Sequence, residues 1–496
     1  MVKQQDFSTA KTHDCKGFSK SSAKASKINA STAYDTCREQ LSPFGGLLAL
    51  IKFLDLVKFK QLVHDVYRPP GRRPFMGDYG MLAGVLMLLF IGFNRLWHFT
   101  YVRLDSLLCG YFHLTRLPAA STYWRYVDSL GINQANSLVN LMSALRQRIW
   151  KLCELRYPQL HINLDTTVET LYGHQQGGRI GHNPGHRGKK GYRPVLAFIE
   201  QTRECLLGRL RKGETLSGTE AAAFIHKLKR QLPADTQRVL LRGDGEFLSW
   251  PAVAAATCEG FEFIFGNKVC QPVFDARRWY RPHKQAAAEY NSCLYQPMGW
   301  SHPGRFVAMR IAKEQAPKNT QPTQQSLFDE DRFTYRVFCT NLRTSAHKAT
   351  GIYDRRADVE NLIGEVKREG LDAIPSAKFN TNAAFFQLVL LAYNIWRYFK
   401  LLAQQSLEVE PQPGIRGACR SPMRGLQTHT NRIGRLRLLL IAAKVVFSSN
   451  RNKLRYSIHD ARTPTLIGFL KFLDRLRSRP WPWRVNKATC DQLMVA

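Results

Sequence analysis

The sequence predicts an α/β fold, a mixed β-sheet with helices packed on it, set between a helical N-terminal region and a basic C-terminal region. Three observations predict it. The runs His161–Asp165, Val195–Ile199 and Cys205–Leu210 read as consecutive strands, and Arg238–Arg242 and Phe261–Phe265 then alternate with helical stretches. Ahead of them, from Phe44 to about Leu155, apolar residues recur at helical spacing. Behind them the chain is crowded with arginine and lysine.

Taken in order, residues 1–42 are rich in Ser, Lys and Thr without a periodic apolar face, and are expected to form a disordered basic arm. Residues 43–157 form the helical region, expected to bind DNA. Leu47, Leu48, Ile51, Leu54 and Leu56 lead into the apolar run Met81–Phe93. A short helix from Ser121 stops at Gly131, and a longer one carries Leu138, Leu141, Leu145 and Ile149. That pair resembles a helix-turn-helix, but the spacing is weakly specific and an ordinary helical hairpin is the favoured reading. Residues 158–402 form the core. Helices are expected at about 219–231 and 250–258, and an insertion, largely β and ending in a loop, at about 267–333. Strand Phe333–Asn341 returns to the sheet, and helices follow at about 354–370 and 383–402. A Pro/Gly-rich linker (403–430) precedes the basic C-terminal region 431–496, expected to bind DNA or dimerise.

Composition narrows the function. The 496 residues are 44% hydrophobic and 11% aromatic, which suits a folded chain, and 72 Lys+Arg against 38 Asp+Glu leave +34. A field of that sign attracts polyanions, with nucleic acid first and an anionic membrane second. The run Met81–Phe93 falls short of the roughly 20 apolar residues of a spanning helix, so no membrane partner is expected. No apolar stretch follows Met1, so no secretory signal is expected. Eleven cysteines stand without a Cys-x-x-Cys pair, as suits reduced thiols in a cytoplasmic protein.

Acidic residues are the scarce class, so those at strand ends stand out. Asp165 closes the first core strand. Asp244 closes a later one between Gly243 and Gly245, where backbone or ligand can approach closely. Each alone also suits a cap or an Asx-turn. The third acid lies in Tyr353–Gly370. At about 100° per helical residue, Tyr353, Arg356, Glu360 and Lys367 share one narrow face, beside an apolar stripe of Val359, Leu362, Ile363 and Val366. Glu365 and Glu369 fall away from that face and are expected in solvent. Nearby, Lys189 and Lys190 sit in a basic Gly-rich loop suited to a DNA backbone. His174, His182 and His186 there invite a zinc reading, but no cysteine accompanies them.

The spacing Tyr353-x-x-Arg356-x-x-x-Glu360-x-x-x-x-x-x-Lys367, with Asp165 and Asp244, resembles the signature of DDE transposases of bacterial insertion sequences. It is similar to the insertion-sequence-four-like group. Asp165-Thr166-Thr167, Leu241-Arg242-Gly243-Asp244-Gly245-Glu246-Phe247, Phe265-Gly266-Asn267-Lys268 and Leu391-Ala392-Tyr393-Asn394 most resemble the family numbered thirteen-eighty. One departure is Gly245-Glu246, which sets a second carboxylate beside Asp244.

The resemblance implies an RNase-H-like (retroviral-integrase superfamily) core in which Asp165, Asp244 and Glu360 are catalytic and bind two Mg²⁺ or Mn²⁺ ions. Tyr353, Arg356 and Lys367 would contact DNA, and Trp279 or Trp300 of the insertion could stack on an extruded base or simply fill its core. The implied activity is cut-and-paste transposition: binding of terminal inverted repeats, cleavage, and transfer of the ends to target DNA. It would be performed by a homodimer on double-stranded DNA in the bacterial nucleoid, without a nucleotide cofactor. The alternatives are an inactive DNA-binding protein and an RNase-H-like nuclease that cuts without joining.

Overall fold

Strands β1 (Leu160–Thr166), β2 (Val195–Ile199) and β3 (Cys205–Arg209) follow one another as an antiparallel meander, while β4 (Val239–Gly243) and β5 (Glu262–Gly266) run parallel to β1. The computed structural model that shows this describes residues 28–71, 74–181, 183, 185–313, 332–408, 425–448 and 451–479. Three further strands, β6 (Ala288–Tyr295), β7 (Gly304–Ala312) and β8 (Phe333–Thr340), extend the sheet antiparallel beyond β5. The eight strands lie in the order β3-β2-β1-β4-β5-β8-β7-β6.

The unbroken apolar run of β2 has a simple cause. Leu196 and Phe198 enter one buried cluster, whereas Val195, Ala197 and Ile199 enter another on the opposite face. A strand covered on both sides needs no polar alternation. Helices α4 (Gly218–Gln231) and α5 (Trp250–Cys258) cover one face. Ser217 caps the first in a reciprocal pair with Glu220, and Ser249 caps the second ahead of Pro251.

The other face is covered by α3 (Ile132–Leu152), α7 (Asp358–Val366) and α8 (Phe379–Glu408), with α1 (Leu47–Leu56) and α2 (Gly77–Ile91) outside them and α6 (Ala346–Asp354) lying on β5–β8. The run expected as a core helix is α2, buried from Gly80 through Ile91. No single described helix is long and apolar enough to cross a membrane. Helix Ala120–Asp128 packs on α2 and α8, and α3 packs along α8. Buried positions surround much of α3, including Arg146 and Arg148, while Ile132, Asn133 and Asn136 in its first turns are exposed.

The insertion is β-rich as expected, through β6 and β7, and residues 314–331 lie outside the described chain. Its tryptophans are packed. Trp300 lies 5.5 Å from the Trp250 ring, and Trp279 is covered by the Arg310 guanidinium at 4.2 Å.

The C-terminal region folds back on the N-terminal one. A hairpin of β9 (Ala443–Ser448) and β10 (Arg451–Tyr456) pairs through β9 with Leu41–Ser42. Helix α9 (Thr463–Ser478) packs on α1, where Arg477 reaches Asp55 at 3.0 Å. Residues 40–496 accordingly make one compact unit. The linker from 409 to 424 lies outside the described residues, as does the basic arm before residue 28. Residues 28–39 belong to a separate unit, exposed and turned at Asn29–Thr32.

Candidate active site

β1 and β4 are neighbours in parallel register, with Leu164 opposite Gly243. Asp165 and Asp244 are the next residue on each strand, so the two carboxylates stand side by side at the carboxyl ends, where neighbouring strands lie roughly 4.8 Å apart. Local hydrogen bonds fix both. Asp165 Oδ1 accepts from the Thr166 N–H at 2.9 Å, and Asp244 Oδ1 from the Glu246 N–H at 3.1 Å. Gly245 makes room for a third contact: a Cβ there would sit 2.6 Å from Cγ of Lys268, whose Nζ reaches Asp244 Oδ2 at 3.1 Å.

The third acid arrives on a segment that is less regular than one helix. Tyr353 ends α6, a tight 3₁₀ turn spans Arg355–Ala357, α7 carries Glu360, and a wide turn over Lys367–Leu371 closes at Gly370 with φ 127°. Even so, the expected face converges on the end of β1. Arg356 donates to the Leu164 carbonyl at 3.1 Å and pairs with Asp165 at 3.1 Å. Lys367 donates to the Val168 carbonyl at 2.7 Å and meets Glu169 at 3.3 Å. Tyr353 is packed against Phe338 with ring centroids 4.4 Å apart, its hydroxyl beside Gly266. Burial pushes the Tyr353 phenol up, against the pull of Arg356.

Glu360 is exposed, yet its field reaches Asp165. Burial pushes the Asp165 carboxyl up to about 6. Arg356 opposes that shift, and Asp244 and then Glu360 add to it. Asp244 and Glu360 thus both act on Asp165 at the end of β1.

The donor set fits hard cations, which favour carboxylate oxygen, and the mutual repulsion at Asp165 is what a cation relieves. Among the described residues, however, no three of His, Cys, Asp and Glu are gathered tightly enough to hold one ion together. Arg356 and Lys268 occupy the carboxylates instead.

Other expectations resolve differently. Arg356, 9% exposed, and Lys367 hold the chain's own atoms where phosphate contacts were expected. Glu365 and Glu369, expected in solvent, are covered by elements distant in sequence: Glu365 is buried against Arg397, and Glu369 pairs with Arg435. Lys189 and Lys190 are exposed in a small three-stranded sheet (Glu169–Thr170, Arg179–Ile180, Lys190–Tyr192) that rises directly after β1. His174 and His186 are exposed, and His182 lies outside the described residues. A separate apolar groove of about 330 Å³ between Trp97, Trp124 and Pro375 is lined by none of the three acids.

Three supporting residues were given no role by the sequence reading. Arg242 is fully buried and ties β4 to Asn163 of β1 at 2.8 Å and to the Ile352 carbonyl at 3.0 Å. Lys268 and Arg193 are the others. An arginine just before a strand-end Gly-Asp-Gly was the available signal for the first; nothing local marks Arg193.

The chain is thus an α/β protein with a mixed eight-stranded sheet, two acids at the ends of adjacent parallel strands and a third on α7. The chain belongs to the family described as Transposase DDE domain group 1, whose model matches residues 27–478. No curated protein matches it. Among solved structures, it is similar to a cryo-electron-microscopy synaptic complex of piggyBac transposase with hairpin DNA. The similarity covers 90% of this chain and 87% of that one, at 10% identity and a TM-score of 0.39.

Proposed function

We propose that this transposase moves an insertion sequence by cut-and-paste, using Asp165, Asp244 and Glu360 on an RNase-H-like core. The order β3-β2-β1-β4-β5, three strands antiparallel and then two parallel, supports the fold assignment. The observation that carries the chemistry is the pairing of Asp165 and Asp244 at the ends of β1 and β4, with Glu360 inside the same field.

Asp165, Asp244 and Glu360 would be the residues that hold two divalent ions. Bound there, such ions activate a water or a DNA 3′-OH and stabilise the leaving oxygen. Arg356 and Lys268 neutralise Asp165 and Asp244. Arg356, through the Leu164 carbonyl, also fixes the strand end that carries Asp165. Lys367 holds the start of the small sheet through the Val168 carbonyl. That sheet sets Lys189 and Lys190 where a DNA backbone would pass, and the exposed Arg451, Lys453 and Arg455, alternating along β10, would add grip. Synapsis of two ends calls for two copies of the chain.

The test is purified protein with Mg²⁺ or Mn²⁺ and labelled duplex carrying the element's own terminal repeat. Joined products support the proposal, nicks alone point to a nuclease, and a gel shift without cleavage to a binding protein. Asp165→Ala, Asp244→Ala and Glu360→Ala are each expected to bring cleavage to background while keeping the gel shift. A fully active Glu360→Ala protein refutes the assignment of the third acid.

A further inference from the structure

The second carboxylate beside Asp244 has a role of its own in the fold. Glu246 turns away from the acid pair: its Oε2 accepts from Thr166 Oγ1 at 2.9 Å, and its Oε1 pairs with Arg193 Nη2. Arg193 is only 5% exposed, and its Nε and Nη1 have no hydrogen-bond partner. A buried guanidinium with donors unmet is costly, since such groups lose water without gaining an acceptor. Arg193 also lines a narrow slot with room for about 10 Å³, roughly one water, together with Arg179 and Lys189. Glycine backbone forms part of its walls. A Cβ on Gly213 would lie 2.4 Å from the Gly191 carbonyl oxygen, so side chains are excluded from that wall. Arg179 has one exposed carboxylate partner, Glu214 at 3.2 Å, and Lys189 stands in solvent. Three cations line a slot that admits one water-sized atom, which suits a single negatively charged, hydrogen-bond-accepting oxygen.

We propose that Arg193 binds one backbone phosphate of the DNA at the acidic centre, and that Glu246 is a positioning residue for it rather than a metal ligand. The inference rests on the transposase reading above, because that reading supplies the DNA. The connection to the acids is short and covalently defined. Glu246 holds Asp244 through its backbone N–H and Thr166 through its carboxylate, and Thr166 follows Asp165. A phosphate held by Arg193 is therefore fixed relative to both aspartates. Because Nη2 stays on Glu246, Nε and Nη1 are the donors left for one phosphate oxygen, and Arg179 and Lys189 line the same slot.

The experiment uses the full-length protein and terminal-repeat duplexes, each carrying one neutral methylphosphonate at a different position. Wild type is expected to lose roughly tenfold in affinity at one position near the cut. Arg193→Gln is expected to bind the unmodified duplex roughly tenfold more weakly, with a salt slope shallower by about one, and to lose nothing further at that same position. If R193Q does not fold, the comparison is made with Arg193→Lys, which keeps the charge but loses the planar fork. Equal sensitivity of variant and wild type at every position makes Arg193 a structural arginine only and overturns the inference. So does a Glu246→Gln protein that binds normally but cannot cleave, because Glu246 would then belong with the metal ligands. If wild type cuts while R193Q behaves identically, only this inference falls; if wild type neither binds nor cuts, the transposase reading falls with it.

Discussion

Glu169 is 3% exposed at the start of the small sheet, and burial pushes its carboxyl up to about 9, with Asp372 adding and Lys367 opposing. The folded chain therefore keeps a proton that the unfolded chain releases near 4.5, so stability declines as pH climbs from there to about 9. Glu169→Gln is expected to flatten that decline, giving a higher melting temperature than wild type at pH 8 and little difference at pH 5. Asp165, raised to about 6, has the same sign over a lower window. Adding Mg²⁺ should raise the melting temperature of wild type and leave Asp165→Asn unmoved, as mass action requires of a ligand that binds only the folded site. At this scale the sequence was partly legible. Asp165 and Asp244 show themselves by strand ends and glycines, and Glu360 by its spacing from Tyr353, Arg356 and Lys367. The Arg193–Glu246 pair was not legible, because two residues that far apart meet only when β1 and β4 are already neighbours.

Among elements, the strands of the central sheet were the most readable, since Val195–Ile199 and its neighbours have no other place for continuous apolar runs than a sheet covered twice. The segment from Tyr353 to Leu371 was less so. A uniform helical projection sent Glu365 to solvent, whereas α8 and its Arg397 close over it. Arg397 also donates to the Tyr393 hydroxyl at 2.9 Å and to the Gln427 carbonyl at 3.1 Å, so one guanidinium joins α7, α8 and the chain after the linker. Glu365→Ala would leave that cation buried and short of its counter-charge, and is expected to cost about 3–5 kcal/mol. Chemical denaturation measures it. A paired Glu365→Leu, Arg397→Met protein should recover most of the loss, because removing both charges removes the desolvation problem as well.

The whole molecule is welded across its composition boundaries. Arg146 of α3 is fully buried, pairs with Glu204 at 2.8 Å and donates to the carbonyls of Cys205, Leu206 and Gln231. Arg435, from the basic C-terminal region, caps α2 through the Leu89 and Phe90 carbonyls at 3.1 and 2.8 Å. A share of the positive charge that first suggested a loose DNA-binding tail is thus structural cement. The remainder is usable: Arg451, Lys453 and Arg455 are exposed, alternating with the inward Leu454 and Tyr456. That period of two was present in the sequence but masked by its basicity. Changing all three to Gln should weaken DNA binding similarly on every sequence and lower the salt slope by roughly three. Titrating binding against salt concentration reads both effects.

The pairing of Leu41–Ser42 with Ala443–Ser448 has a consequence in time as well as space. On the ribosome, an early strand must wait for a mate translated about four hundred residues later, while the layers between them gather. A product terminated between Glu360 and Ala443 holds all three acids yet lacks the strand that closes on Leu41–Ser42.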